Sequence, residues 1–302
     1  MSGVGVIVPA HGDVPFLAGT LDSLLAQDPP PDEIVVVDDG SRVPIFLAEH
    51  HAARCRLVRR DERGGPGPAR ATGLDELDSP LVALADADDA WAAGKLAAQV
   101  ERLSAQPETA VCFGPVTVVD RRGRETGERW EWGEPDGIDP RRFAALLYEH
   151  NPIALSSAML RREPLEAAGG FHSPAPLAED YDLWLRLAAR GERFAFEPRA
   201  GVTLRRHDRS LSWDIAALAE SLLVVRAAHA DLVDDAVVRR MRASDLRALA
   251  QGRVRRRDYA GARAALAEAA LLEPLPPRLR ALGLAVRVPG LRAALGRRYP
   301  YR

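Results

Sequence analysis

Short apolar runs and helical repeats alternate along the first third of the chain. Val4 to Val8 (VGVIV) predicts a buried strand, and Leu17, Leu21, Leu24 and Leu25 then recur at helical spacing until the prolines of Gln27 to Asp32 stop the helix. Glu33 to Asp39 (EIVVVDD) predicts a second strand, Pro44 to Ala53 a weaker helix, and Arg56 to Arg60 a short third strand ahead of the glycine-rich loop DERGGPGPAR. A fourth strand (LVALA, from Leu81), a helix over Ala93 to Ala105 and a strand over Ala110 to Gly114 follow. Strands separated by single helices predict βαβ units and a mostly parallel sheet, an α/β fold.

From Val116 to Ser212 the pattern is mixed. The polar RETGERWEWGEPDG predicts a loop, whereas Leu177 to Gly191 (LAEDYDLWLRLAARG) predicts an amphipathic helix closed by its glycine. Beyond Trp213 the chain reads as Ala- and Arg-rich helix, and Arg256 to Pro274 is patterned like one helix pair of a tetratricopeptide repeat. A single copy cannot bury its own face, so this part is expected to be a helical appendage.

Composition narrows the class. With 302 residues, 47% hydrophobic and 28% charged, the chain can bury a sizeable core and is not disordered. A formal net charge of −2 carries no global signal for nucleic acid. Cys55 and Cys112 lack CxxC spacing and fit reduced thiols, although a bridge between them stays open. There is no basic, apolar leader and no run of about 18 apolar residues, so a cytoplasmic chain is expected. The stretch after Leu275 mixes Arg with Leu, Val and Ala and has no acids. It predicts either peripheral contact with an anionic membrane at its inner face or packing on the rest of the protein.

The local charges carry the chemistry. Asp38 and Asp39 follow one predicted parallel strand, and Asp86, Asp88 and Asp89 follow another. Ligands of open α/β sheets bind outside such strand ends, so both clusters are expected on one cleft. No G-x-G-x-x-G follows the first strand and no Walker loop is present, which disfavours dinucleotides and P-loop phosphates. Carboxylates about 4 Å apart repel by about 4 kcal/mol at an effective dielectric of about 20, so a half-buried Asp-x-Asp invites a cation, and all-oxygen ligands suit Mg²⁺ or Mn²⁺. The same aspartates also suit a helix cap or turn, and Asp38-Asp39-Gly40-Ser41 is good turn chemistry.

Taken in order, VIVPAHGDVPFLAGTLDSLLAQ, EIVVVDDGS, GGPGPARATG, LADADDAW and AEDYDLWLRL resemble the family 2 glycosyltransferases over Val4 to Ser212. The resemblance implies an A-type glycosyltransferase fold, Rossmann-like, with a C-terminal α-helical appendage. Residues 1–115 would be the nucleotide-sugar-binding half, 116–215 the acceptor-binding and catalytic-base half, and 216–302 the helical extension. It implies an inverting enzyme of cell-envelope polysaccharide or glycoconjugate synthesis, a nucleotide-diphosphate-sugar donor, a lipid-linked or other hydroxyl acceptor, and Mg²⁺ or Mn²⁺.

Pro9, Ala10 and His11 match positions that hold the nucleobase and ribose, with Asp39 accepting from the base. Arg70 matches an arginine near the nucleotide, Asp86 the residue near the ribose, and Asp88 the metal ligand. His207 matches a histidine near the diphosphate or metal, and Asp180 the catalytic base, where the start of a helix favours an ionised carboxylate. Asp89 is expected to cap the next helix, Asp182 to be a surface or supporting residue, and Arg205 and Arg206 to clamp phosphates or to be solvated. His11-Gly12, Arg63 and Ala71 depart from the usual pattern without touching metal or base. Two other readings, a silent nucleotide-sugar scaffold and a nucleotidyltransferase, are opposed by the intact Asp-x-Asp with Asp180 and by the lack of a Lys-containing glycine loop after the first strand.

Overall fold

The computed structural model describes residues 3–132, 138–207 and 214–288. The chain begins with β1 (Val4–Ala10), α1 (Leu17–Leu25), β2 (Glu33–Asp38), α2 (Glu49–Ala52), β3 (Arg56–Arg59), α3 (Pro66–Asp75), β4 (Leu81–Leu84) and β5 (Ala90–Trp91). It continues through α4 (Lys95–Ala105), β6 (Thr109–Phe113), β7 (Val116–Val119), β8 (Glu125–Trp130), α5 (Pro140–Glu149), β9 (Met159–Arg161) and α6 (Arg162–Ala167). Then come α7 (Glu179–Ala189), β10 (Arg193–Phe196), β11 (Val202–Arg205), and the helices α8 (Ile215–Ala228), α9 (Asp235–Arg255), α10 (Tyr259–Leu272) and α11 (Pro277–Ala285). The described residues fall into two compact units, one within 1–173 and 183–207, the other within 174–182 and 208–302.

The first unit is built on a seven-stranded sheet in the order β10-β6-β9-β4-β1-β2-β3. Every pairing is parallel except those of β9, which runs antiparallel to β4 and β6. The unbroken apolar runs of β1, β2 and β4 follow from this, because a parallel sheet is covered on both faces. α3 lies on β1 and β2, and α4 on β6. A second sheet, ordered β5-β11-β7-β8, brings the end of the DADDAW segment beside β11.

Two expected elements differ. The helix over Pro44 to Ala53 shrinks to α2, because the backbone N–H of Ile45 donates to the Asp38 carboxylate at 3.2 Å instead of entering a helical ladder. RETGERWEWGEPDG is not all loop: Gly123 at φ +80° closes a hairpin and lets β8 pair with β7. Residues 133–137 of that stretch lie outside the described residues.

Cys55 and Cys112 are buried free thiols, and burial pushes Cys112 up to about 12. Lys95, the chain's lone lysine, is wholly buried, donates to Gln99 Oε1 at 2.7 Å, and stands 3.9 Å above the Trp91 ring. Burial lowers its ammonium to about 7. Between that value and the ordinary lysine range the unfolded chain binds the extra proton, so this residue makes stability rise with pH above about 7. Lys95→Met removes that contribution. The stability of the variant relative to wild type, measured by urea denaturation, is expected to fall steadily from pH 7 to about pH 10, and a pH-independent difference would contradict the burial argument.

In the second unit α9 packs on α8 and α10, and α10 on α11. Alanines line these contacts, and at Gly252 an added Cβ would lie 2.4 Å from the Ala216 backbone nitrogen, so only glycine permits the approach of α8 to α9. The segment read as a helix pair, Arg256 to Pro274, forms one helix, α10, since nothing within it breaks the pattern; its partner is α9. The beginning of α7 is fastened to α8: Asp182 meets His229 Nε2 at 3.0 Å, and Arg226 lies over the Tyr181 ring at 5.6 Å. Asp182 is therefore buried and paired, not a surface residue. No described helix is long and apolar enough to cross a membrane. Of the basic C-terminal stretch, residues 289–302 lie outside the described residues.

Candidate active site

Parallel strands deliver the first part of the site. Asp38 at the end of β2 is structural: it accepts from Ser41 N (3.0 Å), Ile45 N (3.2 Å) and Arg59 Nη1 (2.8 Å). Burial alone would raise its carboxyl, yet these partners hold it below the usual range. Asp39 faces differently. Its Oδ1 accepts from Arg60 Nη1 (2.5 Å) and Gly64 N (2.9 Å), and its Oδ2 from Gly65 N (2.7 Å). Gly40 makes this possible, for it adopts φ +62° and a Cβ there would meet Arg63 N at 2.5 Å, blocking the loop that brings Gly64 and Gly65 in.

A carboxylate has about four lone-pair positions, so Asp39 keeps one, on Oδ2, for a further donor. β1 is tied to the same point: Asp39 N donates to Ala10 O, and His11 Nδ1 donates to Asp39 O at 2.9 Å. Pro9, Ala10, His11 and Asp39 are thus brought together at the carboxyl ends of β1 and β2.

The three aspartates after β4 have distinct partners. Asp86 Oδ1 accepts from Arg70 Nη2 of α3 at 2.6 Å, a buried guanidinium against a half-exposed carboxylate. Asp88 Oδ2 lies 2.9 Å from His207 Nε2. Asp89 is buried; Ser156 Oγ donates to its Oδ2 at 2.6 Å and Arg205 N to its Oδ1 at 2.9 Å. Asp89 does not cap the next helix, whose N-cap is Gly94, because β5 intervenes and pairs with β11, turning the carboxylate toward Arg205.

Ser156 also accepts from Asp86 N at 2.9 Å, so one hydroxyl fixes both ends of the acidic turn. Arg205 lies over the Phe16 ring at 4.5 Å and donates Nε to Asp88 O, while His207 packs on the other contact of Phe16 at 5.4 Å. The imidazole is therefore oriented from two sides.

Electrostatics match a cation site. Asp88 is raised first by burial and then by the Asp86 charge, with His207 opposing; Asp89 is raised well above the usual range by burial and by both neighbours. Asp88 and His207, a carboxylate oxygen and an imidazole nitrogen 2.9 Å apart, are the residues that could hold a divalent ion here.

Asp180 lies in the first turn of α7, in the second unit, with its Oδ1 accepting from Tyr181 N at 2.7 Å. Arg206 is engaged by Glu128 at 2.6 and 3.1 Å. Sequence reasoning missed Arg60, Gly64, Gly65, Ser156 and Phe16 as supports. The strand order would have offered Arg60, which directly follows β3 as Asp39 directly follows the β2 strand paired with it; nothing local marks Ser156.

The model of the family described as Glycosyl transferase family 2 matches residues 5–169. The succinoglycan biosynthesis protein ExoO of Rhizobium meliloti (strain 1021) is 29% identical over 247 residues, covering 78% of this chain and 68% of that protein. The pre-mycofactocin glycosyltransferase of Mycobacterium tuberculosis (strain ATCC 25618 / H37Rv) is 26% identical over 210 residues, covering 68% of this chain but 42% of that protein. Among solved structures, the mannosyltransferase PcManGT from Pyrobaculum calidifontis in complex with GDP-Man and Mn²⁺ is similar at 25% identity, TM-score 0.57, over 97% of this chain and 83% of that one. S. aureus TarS 1-349, in complex with UDP-GlcNAc, shares the fold at 17% identity, TM-score 0.65, over 97% of this chain and 86% of that one. The expected α/β, A-type glycosyltransferase architecture is borne out, and with more than half of its residues inside the family match, this chain belongs to glycosyl transferase family 2 and is a glycosyltransferase.

Proposed function

We propose that the protein transfers a sugar, with inversion, from a nucleotide-diphosphate-sugar donor to an acceptor hydroxyl, assisted by Mn²⁺ or Mg²⁺. The observation that carries this is the Asp88–His207 pair, 2.9 Å apart beside the Asp86–Arg70 ion pair, at the strand ends where Asp39 also stands. The donors named in the PcManGT and TarS complexes, GDP-Man and UDP-GlcNAc, support the same substrate class.

In this reading the free position on Asp39 Oδ2 accepts a base N–H, His11 and Ala10 form the wall beside it, and Asp86, held by Arg70, accepts from the ribose. Asp88 and His207 would hold the metal. When bound, that ion neutralises the departing diphosphate and so replaces a general acid. Asp180 accepts the proton of the acceptor hydroxyl as its oxygen attacks the anomeric carbon from the face opposite the leaving group. The proton ends on the Asp180 carboxyl.

Incubating the purified protein with UDP-, GDP- and dTDP-sugars and Mn²⁺ tests the reading. Nucleoside diphosphate is expected to be released from one donor, and release should stop on chelation. No release from any donor across an acceptor panel would overturn it, as would diphosphate formation from a nucleoside triphosphate and sugar phosphate.

The succinoglycan relatives support an acceptor in envelope or secreted polysaccharide synthesis. A lipid-linked acceptor agrees with exposed Leu284 and Val288 beside Arg280 and Arg287 on and after α11. Leu284→Ser with Val288→Ser is then expected to reduce co-sedimentation with anionic phosphatidylglycerol vesicles, whereas unchanged partition would remove membrane contact through this face.

A further inference from the structure

We infer that Asp22, His50 and His51 form a second metal site, distinct from Asp88 and His207, that takes a borderline-soft divalent transition-metal cation such as Zn²⁺. One donor atom from each of the three lies within 4.8 Å of the other two. His51 Nε2 is 2.8 Å from Asp22 Oδ1, and His50 Nε2 is 3.8 Å from the same oxygen. The two imidazole centroids are 3.9 Å apart.

A simple hydrogen bond accounts for His51, whose side chain is 2% exposed, but not for His50. The His50 side chain is 68% exposed and free to bond to water on its open side, yet its Nε2 turns toward the same carboxylate oxygen. Consecutive helical residues diverge by about 100°, so this convergence depends on their place in the single turn of α2.

The donor set selects the cation. Two imidazoles and one carboxylate suit Zn²⁺, Ni²⁺ or Cu²⁺, whereas Mg²⁺ and Ca²⁺ prefer oxygen. With metal–ligand bonds of about 2.0–2.1 Å, tetrahedral ligands lie about 3.4 Å apart. The 2.8 Å pair would open slightly, the 3.8 Å pair would close by about 0.4 Å, and the two imidazole nitrogens, within 4.8 Å of each other, would close by at most about 1.4 Å. The mostly exposed Asp22 and His50 can supply that movement while buried His51 stays fixed.

At least one position would remain for water, so the site exchanges its metal instead of enclosing it. Bound metal would join α1 to α2, the helices that follow β1 and β2. α2 leads into the beginning of β3, whereas Asp39 and Asp86 follow strand ends; the triad therefore sits apart from the nucleotide residues and shares none of them.

The test uses untagged, full-length protein freed of metal with a chelator and titrated with Zn²⁺ against a fluorescent zinc indicator. One equivalent is expected to bind at the triad in the micromolar range or tighter, besides any Zn²⁺ taken up at Asp88 and His207. His50→Ala and Asp22→Asn should each weaken it by about tenfold or more, and Asp88→Ala should leave it in place. His50 is exposed, so its alanine variant keeps the fold, and its Mn²⁺-dependent donor turnover should equal that of wild type. Absence of saturable Zn²⁺ binding, or binding unchanged in both triad variants, would overturn the assignment.

Discussion

Asp180→Asn is expected to lower kcat by about 10²- to 10⁴-fold while leaving the donor KM within a factor of about two, the range for loss of a positioned general base. The substitution is nearly isosteric. Its amide oxygen can still accept from Tyr181 N, the 2.7 Å bond that Asp180 Oδ1 makes in the first turn of α7, so local structure should persist. What disappears is the ability to take a proton from the acceptor hydroxyl. Steady-state kinetics with varied donor, alongside thermal denaturation, separate the two roles: unchanged kcat with lowered stability would make Asp180 a helix-terminal charge only.

The second large effect concerns Asp89, where two substitutions should differ. Asp89→Ala leaves the buried Ser156 hydroxyl and Arg205 N–H without their acceptor, at a cost of about 2–5 kcal/mol. It also frees the end of β11 just before His207, so Mn²⁺-dependent turnover should fall with stability. Asp89→Asn should stay close to wild type. The carboxyl is raised well above the usual range by burial and by Asp86 and Asp88, so a neutral group is well tolerated there. An amide can accept from Arg205 N and donate to Ser156 Oγ. Asp88→Asn, by contrast, should lose metal-dependent turnover while keeping the fold. Chemical denaturation and activity of the three variants at one Mn²⁺ concentration decide the matter; equal losses for Asp89→Asn and Asp88→Asn would refute the division of labour.

The legible parts of the molecule were those specified by contiguous residues. β1, β2 and β4 could be read because strands covered on both faces are apolar without interruption, and the acidic clusters because they stop those runs abruptly. α7 could be read because its periodicity and closing Gly191 are local. β8 could not, since an exposed edge strand of Thr, Glu and Arg has the composition of a loop, and only the Asp120-to-Arg124 hairpin and pairing to β7 make it a strand. Nor could the use of Asp38 to pull Ile45 out of a helix.

At the site, residue identities were readable and their supports were not. Ser156 reaches Asp86 and Asp89 across about seventy residues, and Arg205 reaches Asp89 across 116. Such contacts arise from sheet order, which places β5 beside β11; no short motif contains them.

In the proposed mechanism Asp88 and His207 hold a divalent cation against the diphosphate of a donor bound at the ends of β1, β2 and β4. Calorimetric titration of chelator-treated protein with UDP, GDP and dTDP, with and without Mn²⁺, tests it most directly. One of these nucleotides is predicted to bind only with Mn²⁺ present, and its affinity should weaken by at least about tenfold, about 1.4 kcal/mol, in both Asp88→Ala and His207→Ala. Nucleotide binding that is the same with and without Mn²⁺, and the same in wild type and both variants, would rule out a metal held by Asp88 and His207.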